Sequence, residues 1–148
     1  MSRRMAREKA LQTLYQNELN PDGVERAMNK GARYLRAEAG GGASDFFLRL
    51  VQAVIQNMSR LDPVIQGYLK EDWTLSRLSL VDRSILRMAV CELLYETEIP
   101  EGASLNEAVE LAKTFSTEES ARFINGVLGS VVKNLDEVRR VAVPEDLT

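Results

Sequence analysis

The chain has 148 residues, of which 45% are hydrophobic and 28% charged, so its composition excludes a disordered protein and fits one soluble globular domain. No run approaches the roughly 18 consecutive apolar residues that a membrane span requires, and the single cysteine, Cys91, excludes an internal disulfide and suits the reducing cytoplasm. The net charge of −3 argues against nonspecific coating of nucleic acid, and the absence of histidine excludes imidazole zinc sites and histidine-based catalysis.

Helical spacing of apolar residues dominates the first half of the chain. It predicts helices over about 5–19 and 24–39, the second with a thinner apolar stripe. The run Gly40-Gly41-Gly42 breaks the pattern and is the clearest candidate for a joint between two halves. Ser44 is predicted to cap the next helix. Asp62-Pro63 is predicted to start another, because aspartate caps helices and proline suits the first helical position.

The second half contains the most apolar helix of the chain. Residues 78–95 are apolar on two sides, which predicts a helix surrounded by others at the centre of the fold. After a loop at 97–102, capping boxes starting at Ser104 and Ser116 predict two more helix starts, and the last helix buries a stripe over 121–138. The sequence therefore predicts an all-α protein of about seven helices, with no internal repeat.

Few residues suggest catalysis. Glu92, within an apolar run, is either a general acid or base, or a salt-bridge or hydrogen-bond partner that fixes its helix; the second interpretation is favoured because no other polar group converges on it. Cys91 is interpreted as a small core residue. The triple glycine lacks the lysine and hydroxyl of a P-loop, and no Cys/His cluster is present. We therefore predict no catalytic residue, no cofactor and no metal.

Basic residues concentrate at the start of the chain. Residues 1–36 hold eight Lys or Arg against four Asp or Glu, a balance of +4, whereas residues 37–148 have a balance of −7. On a helical wheel Arg3, Arg4 and Arg7 extend the apolar stripe outward, so this first turn is not expected to be buried. Cations at a helix N-terminus oppose its dipole. These arginines either meet a polyanion such as RNA, whose phosphates guanidinium groups grip in pairs, or belong to a frayed, solvated terminus.

A second unusual group lies in the last predicted helix. Phe123 points away from the buried stripe and has Arg122 and Asn125 beside it, a combination that suits a base-stacking platform. The more common alternative is that such a phenylalanine packs against a neighbouring helix. Gly126 is interpreted as a site of close backbone approach, either by another helix or by a ligand.

Seven segments together resemble the NusB family of bacterial transcription antitermination factors. They cover nearly the whole chain in the right order, which makes the resemblance specific although no single segment would be. They are RRMARE (3–8), ALQTLY (10–15), WTLSRL (73–78), VDRSILR (81–87), CELL (91–94), NEAVELAK (106–113) and FINGVL (123–128).

The resemblance implies a single domain over 1–148, built from two packed three-helix bundles over about 1–70 and 75–141. Family members bind the boxA element of ribosomal RNA leaders with the ribosomal protein NusE, in a Nus-factor complex on RNA polymerase, and some form dimers. By motif, Arg3, Arg4 and Arg7 would meet phosphates, Tyr15 and Phe123 would lie near bases, and Asp82 would belong to an acidic surface for the basic partner.

Two other functions stay open at this point. Some RNA cytosine methyltransferases carry a NusB-like N-terminal domain, but their α/β catalytic domain with a glycine-rich cofactor loop has no room in these 148 residues. A purely structural helical adaptor would differ in one property, since it would not bind RNA.

Overall fold

The computed structural model describes residues 2–142 and is all-α over that range, as the sequence predicts. Two single turns of 3-10 helix, Pro21–Gly23 and Leu75–Arg77, punctuate the chain, and none of the described helices is long and apolar enough to cross a bilayer. The α-helices are α1 (Arg3–Leu19), α2 (Val24–Ala39), α3 (Gly41–Gly67), α4 (Leu80–Tyr95), α5 (Glu101–Phe115), α6 (Glu118–Lys133) and α7 (Leu135–Ala142).

The helices belong to two compact units, one formed by residues up to Ile55 and the other by residues from Gln56 onward. The prediction that the triple glycine joins two halves is wrong, because α2 and the first half of α3 lie in the same unit. Gly40 ends α2 with a φ of +97°, a conformation that glycine adopts without a side-chain clash. Gly40 therefore makes the turn between α2 and α3 inside the first unit, and α3 begins directly at Gly41.

α3 is one 27-residue helix, where the sequence predicts two. Ser44 does not cap it, since the helix begins at Gly41 and the Ser44 side chain is fully buried. Asp62-Pro63 does not start a new helix either. Leu61 and Ile65 are fully buried on either side of the proline, and burial of this stripe outweighs the one backbone hydrogen bond that proline removes.

α4 forms the centre of the second unit, as predicted. Twelve of its 16 residues are buried, and it contacts α5, α6 and α7. Two predicted capping boxes are wrong in detail. α5 begins at Glu101, so Ser104 lies inside the helix and is buried. Thr117, not Ser116, caps α6, and its hydroxyl accepts from the Ser120 N–H at 2.9 Å. A turn at Asn134 divides the predicted last helix into α6 and α7.

Gly31 on α2 allows a close contact with the buried ring of Phe47 on α3. A Cβ at this position would lie 2.6 Å from Cζ of Phe47. We expect Gly31→Ala to lower the free energy of unfolding by about 1–3 kcal/mol through overpacking. This loss is expected although alanine has a higher helix propensity than glycine, by about 1 kcal/mol. Gly129→Ala in α6 is the matched control, because open space surrounds that position, and it should be neutral or stabilising. Equal midpoints of urea denaturation for the two variants would contradict the contact.

Candidate nucleic-acid interface

The first turn of α1 combines cations with the positive end of the helix dipole. The Ser2 hydroxyl caps the helix by accepting from the Met5 N–H at 3.2 Å, and Arg3 and Arg4 follow, with no acidic residue in the turn. Cations at this position are electrostatically unfavourable by about 0.3–1 kcal/mol each at low salt. A bound anion would remove that cost.

The three predicted arginines differ in exposure. Arg4 is exposed and Arg3 partly exposed, but Arg7 is only 4% exposed, so the expectation that all three point outward is wrong for Arg7. It continues the buried stripe of Leu11, and its guanidinium carbon lies 5.3 Å from the ring centre of Phe46 on α3. A planar, weakly hydrated guanidinium packs on an aromatic ring more readily than an ammonium does, which explains how an arginine is accommodated there.

Tyr15 shares the exposed stripe of α1 with Arg4. The tyrosine is 39% exposed. Eleven residues of helix return to within about 20° of the same direction and advance about 16 Å, so the two side chains mark the ends of one stripe. An aromatic ring and a cation on one exposed face can serve a base and a phosphate of the same strand.

Phe123 on α6 lines a cavity of about 360 Å³ in the second unit. Its partial burial agrees with the predicted position off the core stripe, while Arg122 and Asn125 are exposed beside it. Trp73, 46% exposed, lines the same cavity, as do Lys70 and Arg77. The cavity thus combines two aromatic side chains with two cations.

Three residues at this cavity, Trp73, Lys70 and Arg77, are not among the site residues predicted from the sequence. Lys70 precedes Trp73 by three residues and Arg77 follows it by four. This aromatic–basic pattern is the sequence signal that indicates the segment. The Gln66 side chain holds this loop, because its Nε2 donates to the Trp73 carbonyl at 2.8 Å and its Oε1 accepts from the Leu75 N–H at 2.9 Å. The Trp73 backbone is therefore fixed before any ligand arrives.

Asp82 does not belong to an exposed acidic surface, which corrects that part of its predicted role. It is 8% exposed, and its Oδ2 accepts from the Ser120 hydroxyl at 2.7 Å, which links the first turns of α4 and α6. Its own N–H donates to the Ser79 hydroxyl at 3.1 Å. Glu119, which is exposed, lines the same cavity and supplies the accessible carboxylate there.

Gly126 is exposed, with open space where a Cβ would lie. The expected close approach of another helix is therefore absent from the described structure at this position. The glycine leaves a gap on the face of α6 one residue after Asn125.

Glu92 on α4 is a buried hydrogen-bond partner, which is the interpretation that the sequence favours. Its Oε1 accepts from the Ser104 hydroxyl at 3.0 Å, and both residues are 2% exposed, so the pair fixes α4 against α5.

The pKa of the Cys91 thiol is raised from 9.0 to about 12. Burial is the largest cause, and the nearby charges of Glu92 and Glu96 add to it. Among the described residues no group of three His, Cys, Asp or Glu is placed to hold a metal ion.

Cys91 is expected to resist alkylation in the folded protein. At pH 8 the buried thiol is protonated, so iodoacetamide should label it only after unfolding in denaturant. Since the pKa is raised on folding, the stability it contributes is present below pH 9 and is lost as pH rises towards 12. Mass spectrometry measures the rate of labelling. A rate in native buffer equal to the rate in denaturant would contradict the burial of Cys91.

Comparison with known proteins identifies the family. The protein-family model described as "NusB family" matches residues 4–133 of this chain. Transcription antitermination protein NusB of Bacillus mycoides is 45% identical over 140 residues, covering 91% of this chain and all of that protein. The protein of the same name from Pelotomaculum thermopropionicum is 43% identical and covers 94% of each chain.

Solved structures agree with the sequence relatives. The T. maritima NusB structure matches with a TM-score of 0.79 and 33% identity, covering 99% of this chain and 96% of that one. A chain in the crystal structure of antitermination factors NusB and NusE in complex with dsRNA matches with a TM-score of 0.78 and 25% identity, covering 88% and 96%. On both counts, this chain belongs to the NusB family.

Proposed function

We propose that this protein is an RNA-binding transcription antitermination factor that binds boxA-type RNA together with NusE, in a Nus-factor complex on RNA polymerase. The observation that carries the proposal is the first turn of α1, where the partly exposed Arg3 and the exposed Arg4 lie at the positive end of the helix without an acidic neighbour in that turn. The relatives named as antitermination factors, and the NusB–NusE–dsRNA complex, support the same conclusion.

RNA binding at α1 would be chiefly electrostatic. Arg3 and Arg4 present planar guanidinium groups that hold phosphates with paired hydrogen bonds, and each such contact releases counterions. Tyr15, at the far end of the same exposed stripe, offers a ring to a base of the bound strand.

The cavity around Phe123 would contribute base contacts. Phe123 and Trp73 provide aromatic surface, and Lys70 and Arg77 provide charge for the backbone on either side of a stacked base. Arg122 and Asn125, exposed on the adjacent part of α6, add a donor set for phosphate or a base edge.

A basic partner would dock on the acidic part of the chain. Beyond residue 36 the balance is −7, which repels an extended RNA away from the arginine turn. Glu118 and Glu119 are exposed at the start of α6, and Asp82 beneath them holds that start in place through Ser120. A basic protein such as NusE would neutralise this region and add phosphate contacts of its own.

Phe123→Ala is expected to weaken RNA binding by about 1–3 kcal/mol, the usual contribution of one stacked base. Because the side chain is only partly buried, the melting temperature should change little. Fluorescence anisotropy with labelled RNA and thermal denaturation monitored by circular dichroism measure the two effects. A loss of several kcal/mol of folding stability would show instead that Phe123 is a core residue.

The proposed function is tested by titrating the purified protein against a boxA-type RNA and a scrambled RNA of equal length, with and without NusE. We expect preferential binding of the boxA-type sequence, most clearly when NusE is present. Absence of RNA binding under both conditions would favour the structural adaptor.

A further inference from the structure

Three arginine side chains from two helices converge on one buried ring in the first unit. The ring is Phe46, which is fully buried, and the guanidinium carbons of Arg7, Arg3 and Arg49 lie 5.3, 5.7 and 5.8 Å from its centre. Arg3 and Arg7 are one turn apart on α1, and Phe46 and Arg49 are one turn apart on α3, so each pair shares a helix face. The two faces place their cations around the same point.

This arrangement concentrates positive charge. Each guanidinium carbon lies within 6 Å of the same ring centre, so no two are separated by more than twice that distance. The N-terminal end of α1, from which Arg3 projects, adds the partial positive charge of its free N–H groups. The electron-rich face of an aromatic ring attracts cations and so holds these side chains around one point. An anion bound at this place would be attracted by more than one positive charge.

Exposure separates the members of the cluster by role. Phe46 and Arg7 are buried and are not placed to contact a large ligand, whereas Arg49 is exposed and Arg3 partly exposed. In addition, Nε of Arg3 is buried and has no hydrogen-bond partner in the described structure, so folding has not used all its donors. The ring therefore packs against two arginines, Arg3 and Arg49, that are accessible to solvent.

We infer that Arg49 is an RNA phosphate-binding residue that packs, like Arg3, against Phe46, which acts as a positioning residue. The inference rests on the proposed function and extends its phosphate site from α1 to α3. Arg49 lies outside the basic N-terminal run, and only the fold brings it to the arginines of α1. Its planar fork suits the bidentate binding of a phosphate in single-stranded RNA.

The test is the salt dependence of RNA affinity for Arg49→Gln, Arg49→Lys and the control Arg26→Gln. Arg26 is exposed on α2 of the same unit, and its replacement changes the net charge equally. With a labelled single-stranded RNA, Arg49→Gln should bind about three- to tenfold more weakly at low salt and have a log–log slope about 0.7 less negative. Arg49→Lys should keep the slope of the unmodified protein, and Arg26→Gln should match that protein in both slope and affinity.

A double-mutant cycle tests the role of Phe46. Phe46→Leu keeps an apolar side chain in the core but removes the ring, so it should weaken RNA binding when Arg49 is present and have less effect in the Arg49→Gln background. If Phe46→Leu does not fold, the comparison of Arg49→Gln with Arg49→Lys still decides the assignment.

The outcomes are distinguishable. An unmodified protein that binds RNA, with an unchanged slope and affinity in Arg49→Gln, would show that Arg49 only packs on Phe46, and would leave the proposed function intact. If Arg26→Gln lost as much affinity and slope as Arg49→Gln, the effect would be one of net charge and the assignment would be wrong. An unmodified protein that binds no RNA overturns both proposals.

Discussion

Replacing Arg3 and Arg4 together by glutamine is expected to weaken RNA binding by roughly a hundredfold at low salt, because two charge-assisted contacts of about 1.5 kcal/mol each are lost. The slope of log affinity against log salt concentration should become less negative by about 1.4, the contribution of two phosphate contacts on a single strand. Arg7 is left in place because it is buried against Phe46, and its removal would mix a folding defect with a binding defect. Fluorescence anisotropy over a series of salt concentrations measures both quantities.

Arg26→Gln/Arg33→Gln is the matched control for this variant. Both arginines are exposed on α2 of the same unit, so the control removes the same charge from outside the first turn of α1. Its slope should stay within experimental error of the unmodified protein. If the two double variants were indistinguishable, net charge rather than the α1 arginines would determine RNA affinity.

Asp62→Ala is expected to lower the free energy of unfolding by about 2–3 kcal/mol. The two carboxylate oxygens of Asp62 accept from Nε and Nη2 of Arg87 at 2.8 and 2.9 Å, and the Arg87 side chain is only 9% exposed. Loss of the carboxylate leaves a buried cation with fewer acceptors, which is the costly way to break an ion pair. The expected value lies below the usual range for fully buried pairs because the Asp62 side chain is 34% exposed.

Two further variants make this prediction specific. Arg87→Met should cost less than Asp62→Ala, since the carboxylate it leaves behind is partly solvated. Glu110→Ala breaks an exposed pair with Lys113 at 3.6 Å, with both side chains 51% exposed, and should change stability by less than about 1 kcal/mol. Equal losses for Asp62→Ala and Glu110→Ala in urea denaturation would contradict the difference in burial.

Two helices were predicted well from sequence. The bounds of α2 agree residue for residue although its apolar stripe is thin, and the two-sided apolar pattern correctly placed α4 among other helices. Capping signals performed worse. Ser44 and Ser104 were predicted to cap helices but are buried inside them. The prediction failed because a serine before an apolar run looks the same in sequence whether it caps the helix or lies within it. Local preference could not show that the buried stripe of α3 continues past Pro63.

Some residues of the candidate site could be predicted from the sequence and others could not. Arg3 and Arg4 were identifiable because a cation in the first turn of a helix is unfavourable locally, whatever the fold. The burial of Arg7, by contrast, depends on the Phe46 ring from another helix, which no local pattern reveals. Trp73 joins Phe123 at one cavity only because the loop and α6 are brought together in the folded second unit.

Coupling between RNA binding and partner binding is tested by the RNA affinity of the purified protein, measured with and without saturating NusE. We predict modest binding of boxA-type RNA by the protein alone and tighter binding in the presence of the partner, because a basic protein neutralises the acidic region beyond residue 36. Linkage requires that the RNA tighten NusE binding by the same factor, which a reciprocal titration measures. Equal RNA affinities in the two titrations would show that the two ligands are not coupled, and would contradict joint binding of RNA by this protein and NusE.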